Sequence, residues 1–419
     1  MHAESESIEG SEPVGIRELN DRKAVLRAIT EFDSLGRDEF LATYHFGKST
    51  RYYLIHGTSR YDAKAIAGVA YSHQFPNRKP LINDDFSGGL RAANAALQHA
   101  GFFILDAKPE DLEGERVCRL RVWKQLQAGY NVNAIPPQVL RTYGVYSGQQ
   151  GIWTNAERTK LLEPTAGRTI VPTAITVGIL HTGSHYPDDI STEGVLYHYP
   201  STSRGTGRDR SEVEATKTAA RLGLPIFMIA YPTINSAVRS VHLAWVEGWD
   251  DQARTFLVSF GDTAPSQILS EDHSDDEPFS LETQPHQRAT RNVINRPDQR
   301  KFKFQVLQRY GSRCPLSGVA VTEMLDAAHL RPVADRGSSD PRNGLPLNAA
   351  LHRAFDAHLF AIHPDTLAVA VRPQGPSLEE LGITSPNIRG LAKTPHHEAL
   401  TWRYELWRSK LPATVSAAL

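Results

Sequence analysis

Residues 325–356 contain three short runs in order: Leu325-Asp-Ala-Ala-His-Leu330, Asn343-Gly-Leu-Pro-Leu347 and Leu351-His-Arg-Ala-Phe-Asp356. The first two runs have the apolar character of short strands, and the third has the spacing of a helix. This order predicts a ββα unit. A histidine ends the first strand, an asparagine stands at the turn, and a second histidine lies on the helix that follows.

These residue types suit the hydrolysis of a phosphodiester. A neutral imidazole can take the proton of an attacking water, and His329 is our candidate for this base. His352 is placed to hold a divalent cation, which would stabilise the negative charge on the phosphoryl and departing oxygens. Asp356 follows four residues later, so both side chains project from one helix face. Asn343 can hydrogen-bond to the backbone across the loop and brace the base strand.

Together with Cys314-Pro-Leu-Ser-Gly318, the three runs resemble the HNH endonucleases over about residues 296–363. The resemblance implies metal-dependent cleavage of DNA. It also implies that His329, Asn343 and His352 are the three signature positions.

Two departures from the HNH pattern concern metals. Many HNH enzymes carry an aspartate directly before the first histidine, where this chain has Ala328. Asp326 or Asp356 would supply the missing carboxylate, and the spacing does not choose between them. Cys118 and Cys314 are the only cysteines, so the four-cysteine zinc site of other HNH proteins cannot form. We therefore expect Mg²⁺, Mn²⁺ or another divalent cation, and no structural zinc.

The charge of the chain is unevenly distributed. The formal net charge is −1, yet from Arg288 onward 18 lysines and arginines face 11 acidic residues, a net charge of +7. Residues 270–285 are acidic and lack periodicity, which is typical of a flexible linker, with an ordered acidic loop as the alternative. A basic domain joined to the rest of the chain by a flexible linker is consistent with binding to the negatively charged DNA backbone.

The segment 296–310 predicts an amphipathic helix. Its apolar face contains Phe302, Val306, Leu307 and Tyr310. Candidates for contacts with DNA phosphates are Arg300 and Lys303 of this helix and Arg331 just after the base strand. Ordinary solvated charges are the alternative interpretation.

The first hundred residues predict an α-rich module. Asp21 can cap a helix that runs through Phe32, a second helix begins near Asp38, and Tyr52–His56 reads as a strand. The elements Tyr61-Asp-Ala-Lys-Ala-Ile66 and Asp85-Phe-Ser-Gly-Gly89 resemble the head domain at the front of some McrA-like restriction endonucleases. No catalytic pattern is visible here, so contact with DNA, assembly and a structural cap all stay open.

The middle block, residues 112–262, predicts several short strands around one helix, typical of a small curved barrel. Within it, Tyr186-Pro-Asp-Asp189 is followed by Tyr197-His-Tyr199. Two aromatic rings can sandwich a flipped base, and a carboxylate can accept the exocyclic amine of cytosine. The pattern is similar to that of SRA domains, the PUA-like barrels that read 5-methylcytosine or 5-hydroxymethylcytosine. The implied pocket residues are Tyr186, Asp189, Tyr197 and Tyr199; a turn followed by a packed strand is the alternative.

We therefore expect an α+β multidomain chain. Its parts are an α-rich head (12–110), an SRA-like/PUA-like β-barrel reader of modified bases (112–262), an acidic flexible linker (263–287) and a C-terminal ββα-metal (HNH) nuclease (288–415). A reader that selects the DNA would restrain an otherwise unspecific nuclease. This combination predicts a modification-dependent (type IV) restriction endonuclease that cleaves double-stranded DNA carrying modified cytosine.

Further expectations concern assembly and location. Cutting both strands with a one-metal site requires two nuclease domains, which predicts a homodimer. Two cysteines, no apolar leader and no apolar run of transmembrane length predict a cytoplasmic protein without membrane contact. The open alternatives are a homing or mobile-element HNH nuclease, a phosphorothioate-dependent HNH restriction enzyme, and a non-enzymatic reader with a decayed nuclease.

Overall fold

The computed structural model describes residues 15–89, 91–147, 151–155, 174–181, 193–201, 206–233, 235–265, 275, 278–282 and 297–411 of the 419-residue chain. Backbone contacts divide it into two units. Unit 1 comprises Met1–Thr182 and Arg210–Leu243, and unit 2 comprises Gly183–Asp209 and Ala244–Leu419. Among the helices that are described, none is long and apolar enough to cross a membrane.

The head consists of helices beside a small antiparallel sheet. Its elements are α1 (Arg22–Leu35), α2 (Arg37–Thr43), β1 (Tyr52–His56), β2 (Ser59–Asp62), α3 (Ala63–Gln74), α4 (Ala93–His99) and β3 (Phe103–Asp106), with the strand order β2-β1-β3. The Asp21 carboxylate caps α1 by accepting from the Lys23 backbone N–H at 2.8 Å. Gly36 ends α1 with a φ of 81°, a conformation that favours glycine. The predicted helices after Asp21 and near Asp38 and the predicted strand are confirmed.

The middle block alternates strands with a few helices. Its elements are α5 (Leu112–Gly129), α6 (Pro137–Thr142), β4 (Ile152–Thr154), β5 (Thr176–His181), β6 (Gly194–His198), α7 (Thr206–Arg221), β7 (Ile226–Ala230), β8 (Ser240–Asp250) and β9 (Thr255–Phe260). In unit 1, β5 pairs antiparallel with β4 and parallel with β7. In unit 2, β9 pairs antiparallel with both β6 and β8. The strands of the described residues form no closed barrel, so the predicted SRA-like barrel stays a prediction.

The C-terminal part of unit 2 is the predicted ββα unit with additions. Its elements are α8 (Pro297–Tyr310), β10 (Leu325–His329), β11 (Gly344–Asn348), α9 (Ala349–Asp356), β12 (Phe360–Ile362), β13 (Val369–Val371) and α10 (His397–Ser409). The strands β10 and β11 form an antiparallel pair, and α9 follows β11 directly. Buried Leu325, Leu347, Leu351 and Phe355 join these elements in one core.

Helix α8 is buried on two sides. Phe302 and Val306 lie in one apolar cluster, whereas Phe304 packs against Leu196 of β6 and Leu257 of β9. The sequence pattern placed the apolar residues on a single face and therefore did not anticipate the burial of Phe304. Within unit 2, the helix thus links the last strands of the middle block to the nuclease core.

The predicted linker, residues 263–287, lies mostly outside the described residues. The short piece 278–282 is described, and it packs against the ββα unit. Leu281 is only 5% exposed and belongs to the core of that unit, and its carbonyl accepts from the Ser338 backbone N–H at 3.0 Å. The flexibility of the rest of the linker stays a prediction.

Candidate nuclease site

Three consecutive elements position the signature residues. His329 is the last residue of β10 and pairs with Gly344, the first residue of β11. Asn343 directly precedes β11, and His352 lies on α9. The Asn348 side chain caps α9 by accepting from the Leu351 backbone N–H at 2.9 Å, which fixes the start of the helix that carries His352.

The His329 ring lies face to face with Phe302 of α8. The ring centroids are 3.7 Å apart and the ring planes differ by 9°. Gly344 permits this approach, since a Cβ on it would lie 2.6 Å from Phe302 Cζ and 2.5 Å from Val306 Cγ2. The stacking fixes the plane of the imidazole and therefore the direction in which its nitrogens point.

The environment of His329 keeps its imidazole neutral. Burial and, as the smaller cause, the nearby charge of His352 together lower the pKa of His329 to about 4. His329 Nε2 is buried and has no hydrogen-bond partner among the described residues. A neutral imidazole has one ring nitrogen that can accept a proton, as a general base requires.

Asn343 makes the backbone hydrogen bonds that the sequence suggested. Its side-chain Oδ1 accepts from the Arg331 backbone N–H at 2.9 Å, and its Nδ2 donates to the carbonyls of Arg331 at 3.0 Å and Ser338 at 2.8 Å. The side chain is completely buried. Asn343 therefore clamps the backbone just after His329 and holds the end of β10 in place.

His352 stands between the two candidate carboxylates. Its Nδ1 lies 3.2 Å from Asp326 Oδ2, and its Nε2 lies 3.4 Å from Asp356 Oδ2. Two ligands bound about 2.1 Å from one octahedral ion are about 3 Å apart, so either pair has the spacing of neighbouring ligands. Each pair uses a different ring nitrogen, and one ion would engage only one of them.

Arg403 of α10 distinguishes the two carboxylates. Its Nη2 lies 3.4 Å from Asp356 Oδ1, and its side chain is 4% exposed. Part of the charge of Asp356 is therefore offset within the protein, whereas Asp326 has no such cation in the described part of the chain. Asp326 is the stronger candidate ligand. The described residues contain no cluster of three or more histidine, cysteine, aspartate or glutamate side chains that could hold an ion by themselves.

The sequence did not indicate Arg403 or the stacking partner Phe302. Phe302 was predicted only as part of an apolar helix face, and Arg403 lies 47 residues from Asp356. Both act through contacts between distant parts of the chain, for which the local pattern gives no signal.

The predicted phosphate contacts are partly engaged within the protein. Arg300 is 9% exposed, and its Nη1 donates to the Gly194 carbonyl at 2.6 Å. Arg331 is 12% exposed, its Nη2 lies 2.8 Å from Glu282 Oε1 and its Nε donates to the Asp335 carbonyl. Lys303 is half-buried and lines a cavity of about 40 Å³. Contact of Arg300 or Arg331 with DNA would require these bonds to be exchanged, and all three roles stay predictions.

The predicted base pocket is only partly within the described residues. Tyr186 and Asp189 lie outside them. Tyr197 and Tyr199 are 8% and 5% exposed, and the Tyr199 hydroxyl donates to Asp251 Oδ1 at 3.0 Å. The ring of Tyr199 also packs on Phe256, with centroids 4.5 Å apart. The two described tyrosines are thus packed side chains, and the pocket itself stays a prediction.

A ββα unit with a braced, neutral histidine at the end of its hairpin and a second histidine on its helix defines an HNH nuclease domain. Residues 314–363 match the family described as HNH endonuclease, and residues 18–106 match the ScoMcrA-like, N-terminal head domain. The chain therefore contains an HNH endonuclease domain and, N-terminal to it, a head domain of this kind. The resemblances to HNH endonucleases and to the McrA-like head are confirmed, whereas the resemblance to SRA domains stays a prediction.

Two of the solved structures that are similar to this chain are restriction endonucleases. The first, described as a modification dependent TagI restriction endonuclease, is 17% identical with a TM-score of 0.26, and the match covers 67% of this chain and 92% of that one. The second, the type IV phosphorothioation-dependent restriction endonuclease ScoMcrA, is 12% identical with a TM-score of 0.21, covering 80% and 95%. Scores this low do not establish a common overall fold. No curated protein matches the chain significantly.

Proposed function

We propose that this protein is a modification-dependent restriction endonuclease that hydrolyses phosphodiester bonds in double-stranded DNA carrying modified cytosine. The observation that carries the nuclease part is the presence of two histidines in different environments. The buried Nε2 of His329 has no hydrogen-bond partner among the described residues, while His352 is flanked by two carboxylates.

The chain's own residues take up the proton of the attacking water and hold the base in position. His329 takes the proton of the attacking water, and the lowered pKa keeps the ring unprotonated at neutral pH, the form in which it can act as a base. Phe302 and Asn343 hold the ring and the strand end in position. His352 and Asp326 would hold a divalent cation, with Asp356 as the alternative carboxylate. When bound, Mg²⁺ or a similar ion stabilises the negative charge of the reacting phosphate.

The choice of substrate rests on the middle block. The sequence Tyr186-Pro-Asp-Asp189 supplies a ring and a carboxylate of the kind that recognises an extruded cytosine. Tyr197 and Tyr199 are buried in the described structure, so we propose that they form the packed base of this region and that Tyr186 and Asp189 make the direct contacts. A nuclease that cuts without a reader would damage its own genome, which supports coupling of the two functions.

We further propose that the active form is a homodimer, because one HNH site cleaves one strand and the second strand requires a second site. Analytical ultracentrifugation of the protein with and without a modified duplex measures this. A dimer on DNA supports the proposal, and double-strand cleavage by a monomer with single-turnover kinetics contradicts it.

Cleavage of matched plasmids tests the function as a whole. The plasmids differ only in carrying cytosine, 5-methylcytosine, 5-hydroxymethylcytosine or phosphorothioate linkages, and each is incubated with Mg²⁺ or with EDTA. We expect cleavage of a modified-cytosine plasmid in Mg²⁺ only. Cleavage restricted to phosphorothioate DNA would show that the protein recognises a modified backbone and not a modified base. Equal cleavage of all four plasmids would refute modification dependence.

A further inference from the structure

We propose that unit 1 carries a nucleotide-binding cleft, formed by the head and the segment that follows it. The cleft has a volume of about 480 Å³ and is lined by residues of the head sheet on one side and by residues between Arg141 and Asn155 on the other. This volume falls in the range of small-molecule sites and is sufficient for one nucleotide. The cleft uses none of the residues of the nuclease site.

The charge of the cleft favours an anion. Arg60, Lys108 and Arg141 line it, and none of the described lining residues is acidic. The Arg141 side chain is exposed, and its guanidinium has no hydrogen bond or ion pair within the part of the chain that is described. A cation left available in a concave, positively charged site attracts a phosphate group strongly.

Arg60 is held in a position where it too can bind a phosphate group. Its Nε donates to the Thr142 carbonyl at 2.6 Å, and its Nη2 donates to the Arg141 carbonyl at 3.1 Å. These two bonds tie a head residue to the last turn of α6, which carries Arg141. They fix the Arg60 guanidinium against the backbone of that turn, so its position is set before a ligand arrives.

Two aromatic rings also line the cleft and give it an apolar surface. Tyr53 is half-buried, its hydroxyl donates to the Ser49 carbonyl at 2.7 Å, and the Arg60 guanidinium carbon lies 5.7 Å from its ring centroid. Trp153 is also half-buried, with its ring edge-on to Tyr146 at 6.4 Å between centroids. Both rings line the cleft and retain exposed surface on which a base can stack.

The combination identifies the class of ligand. A bare phosphate or an acidic peptide would use the cations and leave the two rings without a role. An unpaired nucleotide uses both, because its phosphate meets the arginines and its base stacks on a ring. The nucleotide is either part of a DNA strand or a free nucleotide, and the two sources are separated by experiment.

Binding measurements in EDTA test the cleft without any cleavage. The probe is a fluorescently labelled, 5′-phosphorylated, unmodified single-stranded oligodeoxynucleotide, titrated with the full-length protein at several salt concentrations. Arg141→Gln should weaken binding about tenfold and reduce the slope of log affinity against log salt by about one. Arg17→Gln is the matched control, since Arg17 is an exposed head arginine that does not line the cleft.

Tryptophan fluorescence provides a second readout at the same site. Stacking of a base on Trp153 should quench part of the emission, and Trp153→Phe should remove that part although the chain has five other tryptophans. A thermal melt of each variant verifies that the fold is intact. Should Trp153→Phe not fold, Arg141→Gln still decides the matter because it changes an exposed side chain.

The outcomes are distinct. Selective loss of binding in Arg141→Gln supports the cleft. Competition by deoxynucleoside monophosphates at similar concentration would identify a free nucleotide as the ligand, and lack of competition would identify a strand. Equal affinities of Arg141→Gln, Arg17→Gln and the native protein overturn the proposal. Because the probe is unmodified and uncleaved, this result is independent of whether the proposed restriction activity holds.

Discussion

Replacing Phe302 with leucine should reduce cleavage much more than it reduces stability. Phe302 is 1% exposed, and a leucine of similar volume in such a core costs at most about 1.5 kcal/mol for repacking. Loss of the ring pair with His329 adds about 0.5 to 1.5 kcal/mol. The free energy of unfolding should therefore fall by about 1 to 3 kcal/mol, which leaves the protein folded at moderate temperature.

The effect on the reaction should be larger, because the Phe302 ring sets the orientation of the base. Misplacing a reacting group by about 1 Å can cost about a hundredfold in rate, so we expect a loss of about ten- to a hundredfold in the cleavage rate of Phe302→Leu. Water admitted beside the imidazole should also raise the pKa of His329 from about 4 toward its usual value. The acidic limb of the pH–rate profile should then move to higher pH.

The control is Phe304→Leu on the same helix. Phe304 is 2% exposed and packs on Leu196 and Leu257, away from the His329 ring. It should lose comparable stability and keep a rate close to that of the native protein. The assay is single-turnover cleavage of a modified duplex at saturating Mg²⁺ from about pH 4 to pH 8. Equal losses of rate in both variants, or an unchanged pH profile in Phe302→Leu, would refute the positioning role.

Three further predictions follow from the same site. Gly344→Ala should lower both the melting temperature and the rate, because its Cβ would lie 2.6 Å from Phe302 Cζ and overpacking costs about 1 to 3 kcal/mol; thermal melts and cleavage assays measure this. Asp326→Asn should raise the Mg²⁺ concentration needed for half-maximal cleavage more than Asp356→Asn does, and the reverse order in a metal titration would make Asp356 the ligand. The pKa of His329 is about 4 in the folded protein and 6.5 as its ordinary value. Between these two pH values the unfolded chain binds a proton that the folded protein does not, so the free energy of unfolding should fall as the pH is lowered from about 6.5 toward 4. In EDTA, the melting temperature of the native protein should therefore fall more steeply over that interval than that of His329→Gln, and parallel curves would contradict this.

The sequence predicted the local placement of the candidate site residues because these residues are close in the chain. His329, Asn343 and His352 lie within one ββα unit, and the four-residue spacing of His352 and Asp356 on α9 correctly predicted that both side chains project from one helix face, with His352 Nε2 3.4 Å from Asp356 Oδ2. Local periodicity and capping patterns fix such short units.

The contacts of α8 show where local patterns fail. Arg300 was predicted to contact DNA phosphates, with a solvated charge as the alternative. Its side chain is instead buried and donates to the Gly194 carbonyl, 106 residues away, while its role toward DNA stays a prediction. Phe304 was not predicted to be buried, because a helix packed on two sides has no single apolar face. Partners so far apart in the chain leave no periodic signal near either residue.

The central claim is that His329 is the base of a metal-dependent nuclease. The most direct measurement compares native protein and His329→Ala on one modified duplex, with cleavage followed in Mg²⁺ and in EDTA and binding followed by anisotropy. We predict that the native protein cleaves only in Mg²⁺, and that His329→Ala binds the duplex with unchanged affinity while its cleavage rate falls by about 10² to 10⁴-fold. Cleavage by His329→Ala at the native rate, or full activity of the native protein in EDTA, would contradict the claim.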